Sequence, residues 1–392
     1  MVLHPFTIKP LHLKNIQKGR FLERPNRFVV RCVVGRQTCE AYLPNPGKLW
    51  ELLLPGRTLY LVENSHNKGI KFPYLCVAVE REGIPVLLHT HWTNQVVAQL
   101  IDQRRISGLE DARIIRREVT FGRSRFDFLL QKGNQPFLLE VKSCTLSGHR
   151  VAMFPDAVTV RGRRHLTELA ALSREGTPGI VLFLVHWPHA RFFLPDYHTD
   201  IDFARTFLDL KQDLTFKAVS VHWRKNMMLD SQIRELAIPW DLIAREAKDR
   251  GNYILILQLS EDRSLSVGSL GMVFFRKGFY LYVGSARANL AKRMERHLRK
   301  RKTFFWHIDY LRDQAERCTA IPIRTSQPLE HEIAQAVCGI ADWFIKGFGS
   351  SDCTCETHLF GMYDNPIRSP RFMALLQHFR IDRLESFLSD LP

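Results

Sequence analysis

The chain has 392 residues, 45% hydrophobic and 24% charged, which suits a globular protein of two or three domains with ample core. Its formal net charge of +16 favours a polyanionic partner, nucleic acid ahead of an anionic membrane surface. No apolar run approaches the roughly 20 residues of a membrane span, and the first residues (MVLHPFTIKPLHLK) lack a signal-peptide core. The expectation is therefore a cytoplasmic protein with no membrane partner, whose eight scattered cysteines are reduced thiols.

Residues 20–90 contain short β-prone runs: Phe28–Val34, Thr38–Leu43, Arg57–Val62, Tyr74–Val79 and Val86–His89. Turn signals such as Pro44-Asn45-Pro46-Gly47 and Pro55-Gly56 separate them. Five short strands at this spacing predict a small barrel of the oligonucleotide-binding type. Arg24, Arg27, Arg31, Lys48 and Lys71, interleaved with Phe28, Tyr42, Trp50 and Phe72, have the composition of a single-strand-binding surface. Filling the barrel is the competing reading, and for most of these aromatics the better one.

The spacing of Val96, Val97, Leu100 and Ile101 predicts a helix over 93–103, followed by a strand around 114–120. Two apolar runs, Phe126–Leu130 and Phe137–Val141, flank a Gly-Asn turn and predict a hairpin. In a symmetric register Leu130 faces Phe137 and Asp127 faces Glu140, with Lys142 sharing the Glu140 face. Two opposed carboxylates repel unless a cation lies between them, so a divalent metal on Asp127 and Glu140 is one solution. A solvated face with scattered charges is the other. A third strand at 150–154, a helix over 163–174 and an apolar strand at 180–185 complete an α/β core.

The order Asp127…Glu140-Val141-Lys142, then helix and buried strand, resembles the PD-(D/E)xK nuclease superfamily. The strings RPNRF (24–28), LPNPGKL (43–49), EVKSCTL (140–146) and FPDAVTVRGRRHLTEL (154–169) resemble the sugar fermentation stimulation protein family, over residues 10–235. That resemblance implies an N-terminal barrel of oligonucleotide-binding type, a nuclease-like α/β domain, and DNA binding. It implies Asp127 and Glu140 as ligands of Mg²⁺ or Mn²⁺, and Lys142 as the group that orients water and stabilises phosphorane charge. Asp156 would be a further acidic group at the metal, and Arg161 and His165 would hold phosphate near a helix start. Where the superfamily often adds an acid on its first helix, this chain has Gln99.

After a linker at 236–250, GNYILILQL and FYLYVGS predict two strands separated by an insertion of roughly twenty residues. A basic helix is expected over 289–301, with Leu290, Met294 and Leu298 buried and Arg293, His297 and Lys300 aligned beside them. Eight Lys or Arg among residues 287–302, against the single acid Glu295, favour a phosphate backbone over a merely solvated face. GNY…YVGSA, the helix arginine, WHIDYL (306–311) and GFGSSDCTCETHLF (347–360) resemble an uncharacterised branch of the GIY-YIG nuclease fold over 245–363. By that resemblance Tyr253, Tyr282, Arg293 and Glu330 are catalytic and Glu330 binds a metal, with Glu332 the alternative to Glu330. Cys353, Cys355 and His358, with Cys338 nearby in sequence, could start a Zn²⁺ site. Buried thiols with a hydrogen-bonded histidine are the competing reading. The tail at 364–392 shows helical spacing at Phe372, Leu375, Leu376 and Phe379.

The expected architecture is multidomain, α/β and β: a barrel of oligonucleotide-binding (OB) type at 1–90, a PD-(D/E)xK-like α/β domain at 91–235, and a GIY-YIG-like α/β domain at 251–363. The function expected first is a DNA-binding protein with nuclease-like modules and metal-dependent phosphodiester cleavage. The nucleic-acid contacts expected are Arg24, Arg27, Lys48, Arg161, His165, His297 and Lys300. The alternatives are a non-catalytic DNA-binding regulator and an RNA-binding or RNA-processing factor.

Overall fold

A computed structural model describes residues 15–64, 72–350 and 355–388, which fall into two compact units, one of residues up to Ile243 together with Leu388 and the other spanning Ala244–Phe387. Lys71 and Cys353 lie outside the described residues. No described helix is long and apolar enough to cross a membrane.

The first unit begins with a closed five-stranded barrel of OB type. Strand Ile16–Asn26 pairs antiparallel with Val29–Val34 and with Thr58–Glu63. Gln37–Tyr42 follows Val29–Val34, and Tyr74–Arg81 follows Thr58–Glu63. A parallel contact, Ala41 to Tyr74 and Tyr42 to Leu75, closes the ring. The sequence suggested five strands starting at Phe28, and the structure differs. Ile16–Asn26 is a full barrel strand, while Ile84–Leu87 only extends the edge. The missed strand reads IQKGRFLERPN and buries only Gly19 and Phe21, so it carries almost no apolar alternation.

Next in the chain is a six-stranded sheet in the order Leu229–Glu235, Thr215–Trp223, Gly179–Val185, Gln135–Cys144, Ser124–Lys132, Arg113–Phe121. Its three central strands are parallel, and the outer pairs are antiparallel. The hairpin register is the symmetric one, with Leu130 opposite Phe137 and Lys132 opposite Gln135 around Gly133-Asn134. Phe128, Leu130, Phe137, Leu139 and Val141 pack with Val97, Leu100 and Ile101 of helix Thr90–Asp102. Helix Val160–Arg174 buries His165, Leu166, Leu169 and Ala170. The expected third strand is displaced: Val151–Phe154 joins a separate small sheet with Leu146–Ser147 and Phe192–Pro195.

The second unit has an antiparallel sheet ordered Arg317–Arg324, Gly251–Leu259, Gly278–Ala286, Leu359–Met362, Trp343–Phe344. The insertion between the two predicted strands folds as its own hairpin, Arg263–Ser266 with Met272–Phe275. The basic helix is shorter than expected, Leu290–Leu298, and Leu298 is exposed. Side chains from beyond it terminate the helix. The Lys302 ammonium donates to the carbonyls of Arg296 and His297, and Arg312 donates to that of Leu298 at 2.7 Å. Helix Pro370–Arg380 buries Phe372, Leu375, Leu376 and Phe379, the residues whose spacing predicts it.

Candidate functional site

The strand Gln135–Cys144 carries Glu140 on the face opposite Phe137, Leu139 and Val141, and the hairpin brings Asp127 up beside it. Backbone pairing in the hairpin stops short of this point, and the Asp127 carboxylate takes over: Oδ2 accepts from the Val141 amide at 2.8 Å. Its Oδ1 accepts from the Asn94 side-chain amide at 2.6 Å. Glu140 is buried, and its Oε1 receives both Lys142 Nζ at 2.5 Å and His165 Nδ1 at 2.6 Å. Its Oε2 is buried with no hydrogen-bond partner. A buried carboxylate oxygen left without a donor is costly.

The two carboxyls titrate in opposite directions. Burial, followed by the charge of Glu140, pushes Asp127 up to about 6. Burial alone would also raise Glu140, but Lys142 and then His165 outweigh it and hold that carboxyl below its ordinary value. This donor set fits a hard divalent cation. It offers two carboxylates that repel each other, and one of their oxygens lacks a partner. A cavity of about 200 Å³ opens on these groups, lined by Asp127, Glu140, Lys142, Arg161 and His165 among others. A second, of about 640 Å³, runs past Asn94, Asp127 and Lys142 toward Arg117 and Ser143. Behind the strand, Trp223 donates to His186 Nδ1, which leaves the other ring nitrogen as the donor to Ser143 Oγ at 3.1 Å.

Several sequence-derived assignments change here. Asp156 is not with the other acids. It is half-buried against the LPNPGKL loop, accepts weakly from the Leu49 amide at 3.4 Å, and lines neither cavity. A Cβ on Gly47 would sit 2.2 Å from its Oδ2, which explains the glycine. Arg24 is not a phosphate contact, because its guanidinium donates to the carbonyls of Gly47, Lys48, Arg27 and Asn45. Arg31 is ion-paired with Glu23 and Glu40. His165 is also no phosphate contact: it is buried between Glu140 and Arg161, whose Nε lies 3.3 Å from its Nε2. Arg27, Lys48 and Arg161 are exposed, with Lys48 over the Trp50 ring at 4.8 Å. The first-helix residue at the site is Asn94, not Gln99. Its sequence signal was a polar side chain on the same helical stripe as Val97 and Ile101.

In the second unit Tyr253, Tyr282 and Arg293 converge, and Glu330 acts on the Tyr253 hydroxyl electrostatically. Burial, then the neighbouring Tyr282, drives Tyr253 well above an ordinary tyrosine. Its hydroxyl lies 2.9 Å from His297 Nε2. His297 is therefore buried and not a phosphate contact, and burial lowers its pKa to about 4. Glu330 accepts from Ser285 Oγ, and its Oε1 lies 3.5 Å from His358 Nδ1. The basic run is partly turned inward: Arg296 and Lys302 reach the fully buried Asp309 at 2.9 and 2.8 Å. Lys300 stays exposed beyond the helix end. Cys338 is exposed and outside the His331, Cys355 and His358 group, whose ligand atoms all lie within 4.8 Å of one another.

Residues 22–88 match the family model "SfsA N-terminal OB domain" and residues 91–227 match "Sugar fermentation stimulation protein RE domain". A sugar fermentation stimulation protein homolog of Methanothermobacter thermautotrophicus is 40% identical over 193 residues, 49% of this chain and 80% of its own length. The chain belongs to the sugar fermentation stimulation protein family. A homolog of Methanosphaera stadtmanae is 34% identical over 237 residues, covering 57% of this chain and 98% of the relative. The structure of Pyrococcus furiosus SfsA in complex with Ca²⁺ aligns with a TM-score of 0.54 at 28% identity, over 59% of this chain and 98% of that one. Residues 252–380 match a domain of unknown function, DUF123.

Proposed function

We propose that the first unit is a DNA-binding, divalent-metal-dependent phosphodiesterase of the PD-(D/E)xK type, with Asp127, Glu140 and Lys142 at its centre. The observation that carries this is the buried, partnerless Oε2 of Glu140 beside a second carboxylate, in a cavity that also holds Lys142 and Arg161. The solved relative that binds Ca²⁺ supports the choice of a hard divalent ion. Asp127 and Glu140 would hold Mg²⁺ or Mn²⁺, which supplies an acidified water and offsets phosphate charge. Asn94 and the Val141 amide aim the Asp127 carboxylate, and His165 fixes Glu140. Lys142 places a cation beside the acids, where the charge of a pentacovalent phosphate develops. Arg161, exposed at the rim, meets the backbone of the nucleic acid.

The second unit is inferred to be a GIY-YIG-like module with Tyr253, Tyr282, Arg293 and Glu330 as its cluster. A binding-only reading of the first unit has its own support, since the first helix contributes the neutral Asn94 rather than a third acid. Plasmid nicking in Mn²⁺ tests the assignments. Wild type should cut, and Glu140→Gln should lose at least about 100-fold, with Glu330→Gln unchanged. Cutting lost only in Glu330→Gln or Arg293→Ala would move the chemistry to the second unit. Salt-sensitive DNA binding with no cutting in any metal would leave the binding-only reading.

A further inference from the structure

We propose that His331, Cys355 and His358 form a zinc site that fixes the start of the Glu330–Cys338 helix against the neighbouring sheet. His331 comes from one stretch of chain and Cys355 and His358 from another, and their ligand atoms lie within 4.8 Å of one another. Ligand atoms at 2.0–2.3 Å from a tetrahedral zinc lie roughly 3.3–3.6 Å apart, so small side-chain adjustments close the set. His331 Nδ1 is already 2.9 Å from Cys355 Sγ.

His358 is arranged as a ligand. It is buried, and its Nδ1 lies 3.2 Å from the Val283 carbonyl and 3.5 Å from a Glu330 carboxylate oxygen. An Nδ1–H donated to those oxygens is the usual outer-shell arrangement of a histidine that ligates through Nε2. One thiolate with two imidazoles is a borderline-soft set, suited to zinc and poorly suited to Mg²⁺ or Ca²⁺. It thus differs in chemical class from the carboxylate pair of the first unit.

The consequence is mechanical. His331 stands in the first turn of its helix, immediately after Glu330. The His358 backbone carbonyl accepts from the amide of Val283, the residue after Tyr282. An ion shared by these side chains ties Glu330 to the strand bearing Tyr282, and so positions the carboxylate that meets Ser285. Zinc binding by these three side chains requires neither unit to be a nuclease.

The full-length protein, purified without a polyhistidine tag, is the sample. Zinc content after exhaustive dialysis is measured first. Cobalt(II) is then titrated into chelator-treated protein and followed by its thiolate charge-transfer and tetrahedral d–d bands. One thiolate-bound ion per chain is expected. Cys355→Ser should remove the charge-transfer band. His331→Ala, at an exposed position where circular dichroism should match wild type, should weaken binding at least ~10-fold. Glu140→Gln should leave the spectrum unchanged. Only trace zinc with no charge-transfer band, or a spectrum identical in wild type, Cys355→Ser and His331→Ala, overturns the proposal.

Discussion

The two units use charge in opposite ways. In the first, a carboxylate pair faces a cavity, one of its oxygens has no partner, and Asp127 is raised by burial and then by its neighbour. In the second, the most charge-dense stretch of the chain is partly consumed internally, with Arg296 and Lys302 closed onto Asp309. The first arrangement leaves an electrostatic deficit that a ligand relieves. The second has relieved its own. A run of like charges is thus weaker evidence for a binding surface than a small buried imbalance.

The largest way to sharpen that contrast is Asp309→Ala. Removing a fully buried acid strands Lys302, and should cost about 3–5 kcal/mol in the second unit. Amide hydrogen exchange across 251–324 should show the loss, while protection of the 113–185 segments stays near wild type. Equal loss in both would break the distinction.

An acid titration should separate the units by sign. Asp127 has a folded pKa near 6 against an ordinary 3.8, so the folded state binds the proton more readily. Its contribution to stability is present below 3.8 and lost as pH rises through 6. His297 is the reverse, near 4 in the fold against 6.5. Its contribution is present above 6.5 and lost as pH falls toward 4. Metal-free protein taken from pH 7 to 4.5 should therefore lose less protection around the hairpin than around Gly251–Leu259. His297→Gln should flatten the second profile, and Asp127→Asn the first.

The smallest expected effect concerns the barrel. Arg27 and Lys48 remain exposed, whereas Arg24 is committed to loop carbonyls. Replacing Arg27 and Lys48 by Ala should reduce the slope of log affinity for duplex DNA against log salt by up to ~0.9 per cation removed. Arg24→Ala should instead unfold the 43–49 loop. A slope unchanged by the double replacement would remove the barrel from the DNA-binding surface.

What the sequence made legible follows from how local each signal is. The hairpin register could be read because a two-residue Gly-Asn turn between apolar runs leaves few alternatives. The carboxylate pair followed from it by period-two counting. The barrel strand Ile16–Asn26 was hidden because its partners, not its own alternation, make it a strand. Arg24, in RPNRF, read as a nucleic-acid contact because basic residues and aromatics interleave there. In the fold Arg24 and Gly47 serve the loop that encloses Asp156. His165 and His297 lay on helices whose depth no local pattern reveals. His331 escaped notice because its partners lie more than twenty residues away, at Cys355 and His358, and sequence proximity pointed to Cys353 instead.

The carboxylate pair itself is tested most directly by Mn²⁺ titration of the full-length chain, followed by electron paramagnetic resonance. Wild type should show a tight site that disappears in Glu140→Gln and persists in Glu330→Gln, with binding strengthening as pH rises through about 6 as Asp127 ionises. A tight site that survives Glu140→Gln, or none in wild type above pH 7, would contradict the assignment of Asp127 and Glu140 as the metal centre.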